Sequence, residues 1–131
     1  KSCYEAYFRP KGYGFADVLK SIQIAIKRQK FVAINYLNCP GFTDSSQEVE
    51  ALIRFLQRYP INMIQWRNLN FDPQHYLRTM NRVTPLGPPV GMDRLLQMIG
   101  KRFPNLRHGY FNPPKEAFVP LMPETDKDLI P

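Results

Sequence analysis

Two short apolar stretches, FVAINYLN at residues 31–38 and INMIQWR at residues 61–67, decide how this chain folds. Both are rich in β-branched and aromatic residues, and the first begins with an almost continuous apolar run, which is typical of a strand that is buried on both faces. The sequence CPG at residues 39–41 ends the first stretch, and Pro60 immediately precedes the second. Each stretch is therefore predicted to be a buried β-strand.

The segment between the two strands has the pattern of a helix. Apolar residues recur at three- and four-residue spacing at Val49, Leu52, Ile53 and Leu56. Ser45 and Glu48 have the S-x-x-E spacing of a capping box, so we expect the helix to begin at residue 44 or 45 and to end near Arg58. A strand, a helix and a second strand in this order form a βαβ unit, in which the strands lie parallel and the connection is right-handed.

Three further helices are predicted outside this unit. An apolar stripe marks residues 15–29, Asp72 and Pro73 have the residue types of an N-cap and a first helical position, and a third apolar stripe covers residues 91–103. Everything after Pro104 reads as loop, and we expect this proline-rich tail to wrap over another surface or to be partly disordered. The sequence thus predicts an α/β fold built from βαβ units, followed by a helical and loop-like C-terminal extension.

Polar residues are placed where the two predicted strands end. Because side chains alternate along a strand, Asn35 shares one face with Ala33 and Leu37, while Gln65 and Arg67 share the corresponding face of the second strand. Ligands of parallel α/β sheets bind at the carboxyl ends of the strands. We therefore expect Asn35, Gln65 and Arg67 to meet at one rim and to contact a ligand there. The alternative is that they only hydrogen-bond neighbouring loops.

The composition limits the classes of protein to which the chain can belong. Its 131 residues suit one domain, and no apolar run is long enough to span a bilayer. The net charge of +7 favours anionic partners, although the charges are scattered as on solvated helices. Only Cys3 and Cys39 are present, outside any metal-ligand spacing, which favours a reducing cytoplasm and predicts no metal site. The chain begins at Lys1 rather than Met, so we expect it to be part of a longer protein.

Four strings follow one another along the chain: YEAY at residues 4–7, RPKGY at 9–13, NYLNCPGFTD at 35–44 and NMIQWRNLN at 62–70. Together and in this order they resemble the later half of the catalytic barrel of radical S-adenosylmethionine (radical SAM) proteins. The strings FP at 103–104 and GYFNP at 109–113 resemble a C-terminal element of one subgroup of that family. The resemblance covers residues 1–114 or so.

The resemblance implies a partial (β/α)6, TIM-barrel-like fold for residues 1–83, with residues 84–131 as the C-terminal extension. The two strands would be the fifth and sixth of the barrel, and the upstream half of the barrel would be the partner of this chain. It also implies that Asn35 and, at the second strand, Gln65, Arg67, Asn68 and Asn70 contact the adenosine part of S-adenosylmethionine.

The family holds a four-iron, four-sulfur cluster on a C-x-x-x-C-x-x-C motif, and this motif is absent from the chain. The resemblance therefore implies a radical SAM enzyme of unknown substrate as the parent, and an inactive fragment, without cofactors or catalytic residues of its own, as this chain. Because such a fragment lacks the neighbour of its first strand, we expect it to self-associate. The alternative interpretation is a free-standing α/β module that binds a nucleotide or a nucleic acid.

Overall fold

The computed structural model describes residues 1–111 and 113–118, which form five α-helices and three β-strands. In chain order the elements are α1 (Ser2–Phe8), α2 (Phe15–Lys27), β1 (Ala33–Asn38), α3 (Ser46–Arg58), β2 (Met63–Asn68), α4 (Pro73–Val83), α5 (Met92–Arg102), β3 (Arg107–Gly109) and a 3-10 turn at Lys115–Ala117. The four predicted helices and two predicted strands are present, with ends that differ from the predicted ones by a few residues.

The three strands form one parallel sheet in the order β1-β2-β3. Ala33 pairs with Met63 and Asn35 pairs with Gln65, which confirms the predicted parallel pairing of the first two strands. The expectation that the chain is loop-like after Pro104 is wrong, because β3 pairs with β2 through Gln65 and Gly109. β3 is only three residues long, with the sequence RHG, so it has no apolar pattern of its own and forms because β2 offers an unpaired edge.

The main core lies on one face of the sheet. Val32 and Ile64 are buried there against α3 and α5, and Ile34, Tyr36 and Trp66 pack around them. The buried members from the two helices are Val49, Leu52, Leu56, Leu95 and Ile99, and the inner side of α2 packs on the same cluster. Strands that follow each other in the sheet as in the chain, with helices α2, α3 and α5 on one face, make a singly wound α/β arrangement.

A second, smaller core lies around the loop that follows β1. Cys39, Phe42, Tyr76 and Met80 are buried in it, and side chains from α1 and α4 complete it. The Tyr7 ring of α1 meets Tyr76 of α4 edge to face, with ring centroids 5.4 Å apart. Aromatic pairs in this geometry contribute about 0.5 to 1.5 kcal/mol beyond their buried area, which fixes α1 on α4.

The loop between β1 and α3 is a buried, fully bonded connection. Thr43 Oγ1 donates to Leu37 O at 2.7 Å and accepts from the Cys39 amide at 2.9 Å. The Asp44 carboxylate accepts from the amides of Gly41, at 2.6 Å, and of Gly91, at 3.1 Å, so it links this loop to the start of α5. Buried polar groups that are fully hydrogen-bonded make a loop rigid, and this loop therefore holds the end of β1 in place.

The two predicted helix starts have different outcomes. At α4 the Asp72 carboxylate accepts from the Gln74 amide at 3.0 Å, with Pro73 following it, as predicted. The predicted capping box at α3 is wrong: Ser45 Oγ donates backward to Phe42 O at 2.7 Å, and Glu48 bonds the Tyr36 hydroxyl instead. Spacing permits a capping box, but here the Glu48 carboxylate accepts from the partly buried Tyr36 hydroxyl, and the fully buried Ser45 hydroxyl finds its acceptor in the preceding turn.

Among the described residues no helix has both the length and the apolar character that a membrane-spanning helix requires.

Most of the predicted proline-rich tail falls at residues 119–131, which lie outside the described residues. Of the tail that is described, Phe118 stacks on Phe31 with ring centroids 4.8 Å apart, and Ala117 O accepts a 2.8 Å hydrogen bond from Arg107 Nη1.

Candidate functional site

The face of the sheet opposite the main core carries Asn35, Gln65 and Arg67, and we call these three side chains the polar cluster. Arg67 Nε donates to Asn35 Oδ1 at 3.2 Å, and Arg67 Nη2 donates to Gln65 Oε1 at 2.7 Å. One guanidinium thus bridges two neighbouring strands: Asn35 and Gln65 pair at the third of six positions in β1 and β2, and Arg67 is at the fifth position of β2. The structure brings these three residues together, as the alternation along the strands predicts.

The chemistry of arginine fixes the orientation of both amides. A guanidinium has only N–H donors, so each amide must turn its oxygen toward Arg67 and its NH2 group elsewhere. For Asn35, whose side chain is exposed, the Nδ2 group has no hydrogen-bond acceptor among the described residues. Asn35 therefore presents two N–H donors at the surface of the sheet, whereas Gln65 is only 5% exposed and lies beneath.

The C-terminal end of β3 adds an aromatic side to the cluster. The Arg67 guanidinium lies 5.2 Å from the centroid of the Tyr110 ring, which is the distance of a cation–π contact. Tyr110 meets Phe111 nearly edge to face at 5.3 Å, and Phe111 is 74% exposed. The site therefore combines amide donors, a cation and two accessible rings, and it offers binding groups rather than a nucleophile or a general base.

Asn68 and Asn70 were also predicted to contact a ligand, and the structure places them outside the polar cluster. Asn68 belongs to the opposite face of β2, where its Oδ1 accepts from Asn38 Nδ2 at 3.3 Å. Asn70 is exposed in the loop that follows β2. Asn38 Oδ1 is buried without a hydrogen-bond partner in the described part of the chain, so this second amide pair is only partly satisfied.

Sequence reasoning missed the partners that β3 and its flanks supply. Tyr110 belongs to the string GYFNP, and no local pattern indicates that its ring lies on Arg67. On the other face, Trp66 Nε1 donates to His108 Nδ1 at 3.1 Å, with the two rings nearly coplanar. Trp66 is only partly buried, although its position on the core face of β2 suggests that the helices would enclose it.

A pocket of about 230 Å³ lies at the other end of the sheet, by the amino ends of β2 and β3. Its lining is mostly apolar, with Ile61, Phe103 and Leu106 among its residues and Arg102 and Asn105 as its polar members. Parallel α/β sheets bind ligands at the carboxyl ends of their strands, so this pocket is the weaker candidate.

The described residues contain no group of three His, Cys, Asp or Glu side chains that could hold a metal ion. Cys39 is buried and Cys3 is half-buried, and burial raises the pKa of both thiols above the usual value. Both cysteines therefore lie in surroundings that favour the neutral thiol over the metal-binding thiolate.

Proteins already known add no constraint to this geometry. Comparison of the chain with protein-family models, with curated proteins and with solved structures finds no match in any of the three.

Proposed function

We propose that this chain forms the cofactor-contacting part of a radical SAM enzyme of unknown substrate, with β1 and β2 as the fifth and sixth strands of a partial (β/α)6 barrel. The polar cluster would then face the barrel interior and the helices the outside. The proposal is supported by the strings at residues 35–44 and 62–70 and by a parallel sheet whose strand order follows the chain.

The observation that carries the proposal is the bridge from Arg67 to Asn35 and Gln65. Adenosine offers ring nitrogens and ribose hydroxyls as acceptors, and the outward Nδ2 group of Asn35 is a matching donor. Because Arg67 holds the Asn35 oxygen, the donor direction is set before the ligand arrives, which lowers the entropic cost of binding.

Of the two cofactors, the residues suit only one. The polar cluster fits S-adenosylmethionine. In this family S-adenosylmethionine supplies the radical chemistry together with a reduced iron-sulfur centre. A four-iron, four-sulfur cluster in this family needs three thiolates, and Cys3 and Cys39 are too few and sit in surroundings that favour the thiol. This chain would bind and orient S-adenosylmethionine, while residues elsewhere in the parent would hold the cluster.

The test uses the full-length parent and the variant Asn35→Ala. We expect weaker S-adenosylmethionine binding by up to about tenfold, the value of one hydrogen bond, with unchanged iron content. The control is Trp66→Ala, on the neighbouring strand β2 and on the opposite face of the sheet, which should lower thermal stability without weakening cofactor binding of the folded protein. Normal binding in Asn35→Ala, with lost binding in a stable Trp66→Ala protein, would mean that the wrong face has been assigned to the cofactor.

A second candidate is a free-standing α/β module for nucleotides or nucleic acid, favoured by the exposed Tyr110 and Phe111 rings beside Arg67 and by the charge of +7. The coding sequence upstream of Lys1 separates the two candidates. A C-x-x-x-C-x-x-C motif within roughly 100 to 150 residues, the usual length of one domain, supports the radical SAM enzyme. An unrelated domain or a stop codon there supports the second candidate.

A further inference from the structure

The polar cluster holds a positive charge that no carboxylate of residues 1–111 or 113–118 balances. Both hydrogen-bond partners of Arg67 are neutral amides, and the only ion pair within the described residues joins Arg54 to Glu50 on α3. Arg67 is nevertheless partly buried. A guanidinium stays charged at every physiological pH, and removing it from water is costly unless an opposite charge is near.

The geometry of Arg67 leaves part of its binding capacity unused. A guanidinium has five N–H donors, and the two hydrogen bonds to the amides use two of them. The Tyr110 ring lies against the guanidinium and carries no negative charge that could neutralise it. Planar N–H donors on one edge match the two oxygens of a carboxylate or a phosphate.

We propose that Arg67 recognises an oxyanion, a carboxylate or a phosphate, carried by the small molecule that binds at the polar cluster. Asn35 and Gln65 act as positioning residues, because they fix the plane of the guanidinium between two strands. Tyr110 and Phe111 provide an apolar side for a flat part of the same ligand. The inference deepens the proposed function, on which it rests for the identity of the binding face, by naming a charge that the ligand must carry.

The probes are three molecules that share one nucleoside and differ in charge: adenosine, adenosine 5′-monophosphate and adenosine 5′-carboxylic acid. Calorimetric titration of this chain at fixed ionic strength measures the affinity for each. We expect at least one anionic probe to bind about tenfold or more tightly than adenosine, the effect of one charge-assisted hydrogen bond. The tighter of the two anions identifies phosphate or carboxylate as the group recognised.

The variants assign the effect to Arg67. Arg67→Gln should abolish the preference for the anion, and Arg67→Lys should retain part of it, since lysine keeps the charge but loses the planar fork. Arg94→Gln is the matched control: it removes one positive charge from the exposed side of α5 and should leave the preference intact. Far-ultraviolet circular dichroism reports whether each variant folds.

Three results would overturn the inference: equal affinity of the wild-type chain for adenosine and both anions, no binding of any probe, or an equal loss in Arg94→Gln. The affinities of the wild-type chain for adenosine and the two anions test the inference even if Arg67→Gln fails to fold. The proposed function can fail separately. An anion preference that depends on Arg67, in a parent that does not bind S-adenosylmethionine, supports the inference and refutes the cofactor assignment. A parent that binds S-adenosylmethionine, together with a chain that shows no anion preference dependent on Arg67, supports the cofactor assignment and refutes the inference.

Discussion

The Tyr36 hydroxyl donates a 2.5 Å hydrogen bond to Glu48 Oε1 and so ties β1 to the first turn of α3. Burial, and then the negative charge of Glu48, raise the pKa of Tyr36 well above its usual value. The hydroxyl therefore remains protonated, and remains a donor, over the whole range in which the unfolded chain keeps its tyrosines neutral. The Tyr36 ring also meets Trp66 edge to face at 5.6 Å, so this bond fixes one end of an aromatic row across the sheet.

Replacing Tyr36 by Phe should lower the free energy of unfolding by about 1.5 kcal/mol. A hydrogen bond to a charged group contributes about 1.5 to 3 kcal/mol, and the half-buried Glu48 carboxylate recovers some hydration in the variant. Urea unfolding at neutral pH measures the loss. Tyr7→Phe is the control, because the Tyr7 hydroxyl makes no hydrogen bond within the described residues, and it should change stability by less than about 0.5 kcal/mol. Equal effects of the two variants would contradict a role for the bond to Glu48.

The fluorescence of Trp66, the single tryptophan of the chain, should respond to protonation of His108. Burial lowers the pKa of His108 below its usual 6.5, and a proton on Nδ1 removes the acceptor of the Trp66 N–H bond. Since the unfolded state binds this proton more readily, stability should fall as the pH drops below 6.5 and level off below the folded-state pKa. Above 6.5 this contribution is fully present.

A fluorescence titration between pH 4 and 8, roughly the range in which histidines ionise, measures the midpoint. His108→Phe should remove the transition, and His75→Asn, which changes the only other histidine, should leave it in place. A midpoint at or above 6.5 would show that burial does not lower the pKa of His108, and a transition that persists in His108→Phe would show that another group causes it.

Two glycines near α5 should respond to alanine in opposite directions. Gly91 has a φ of 93°, a value that L residues rarely adopt, although a Cβ there would meet no atom within 4 Å. Gly91→Ala should therefore cost about 1 to 3 kcal/mol of stability from backbone strain alone. Gly100 lies inside α5 with equally open space, and Gly100→Ala should add about 0.5 to 1 kcal/mol. Thermal melts compare the two, and a neutral Gly91→Ala would rule out strain at that position.

The chain should form dimers or larger species as its concentration rises. Within the described residues β1 pairs only with β2, so its outer edge presents unpaired backbone groups that invite another strand. Ala33→Lys places a charge on this edge strand and should shift the chain toward monomer, whereas Ala51→Lys on the exposed side of α3 should not. Light scattering gives the mass, and a monomeric wild-type chain at high concentration would contradict the prediction.

Local patterns were sufficient for most of the secondary structure. The apolar runs rich in β-branched and aromatic residues at 31–38 and 61–67 predicted β1 and β2, and the alternation of side chains along them predicted that Asn35, Gln65 and Arg67 would share one face. The start of α4 at Asp72 and Pro73 was equally predictable, because a cap depends on residues only a few positions apart.

The sequence by itself thus determined two parallel strands, every described α-helix except α1, and the polar character of one strand face, because periodicity and caps act over one or two turns of chain. Only the tertiary structure decided that RHG becomes β3, that Glu48 bonds Tyr36 instead of its own helix end, and that Tyr110 lies on Arg67. Arg67 and Tyr110 are far apart in sequence, and their contact exists because β2 gives β3 an edge on which to pair. Contacts of this kind depend on which strand edges and side-chain surfaces remain unpaired after the sheet has assembled. A local sequence pattern carries no information about those surfaces.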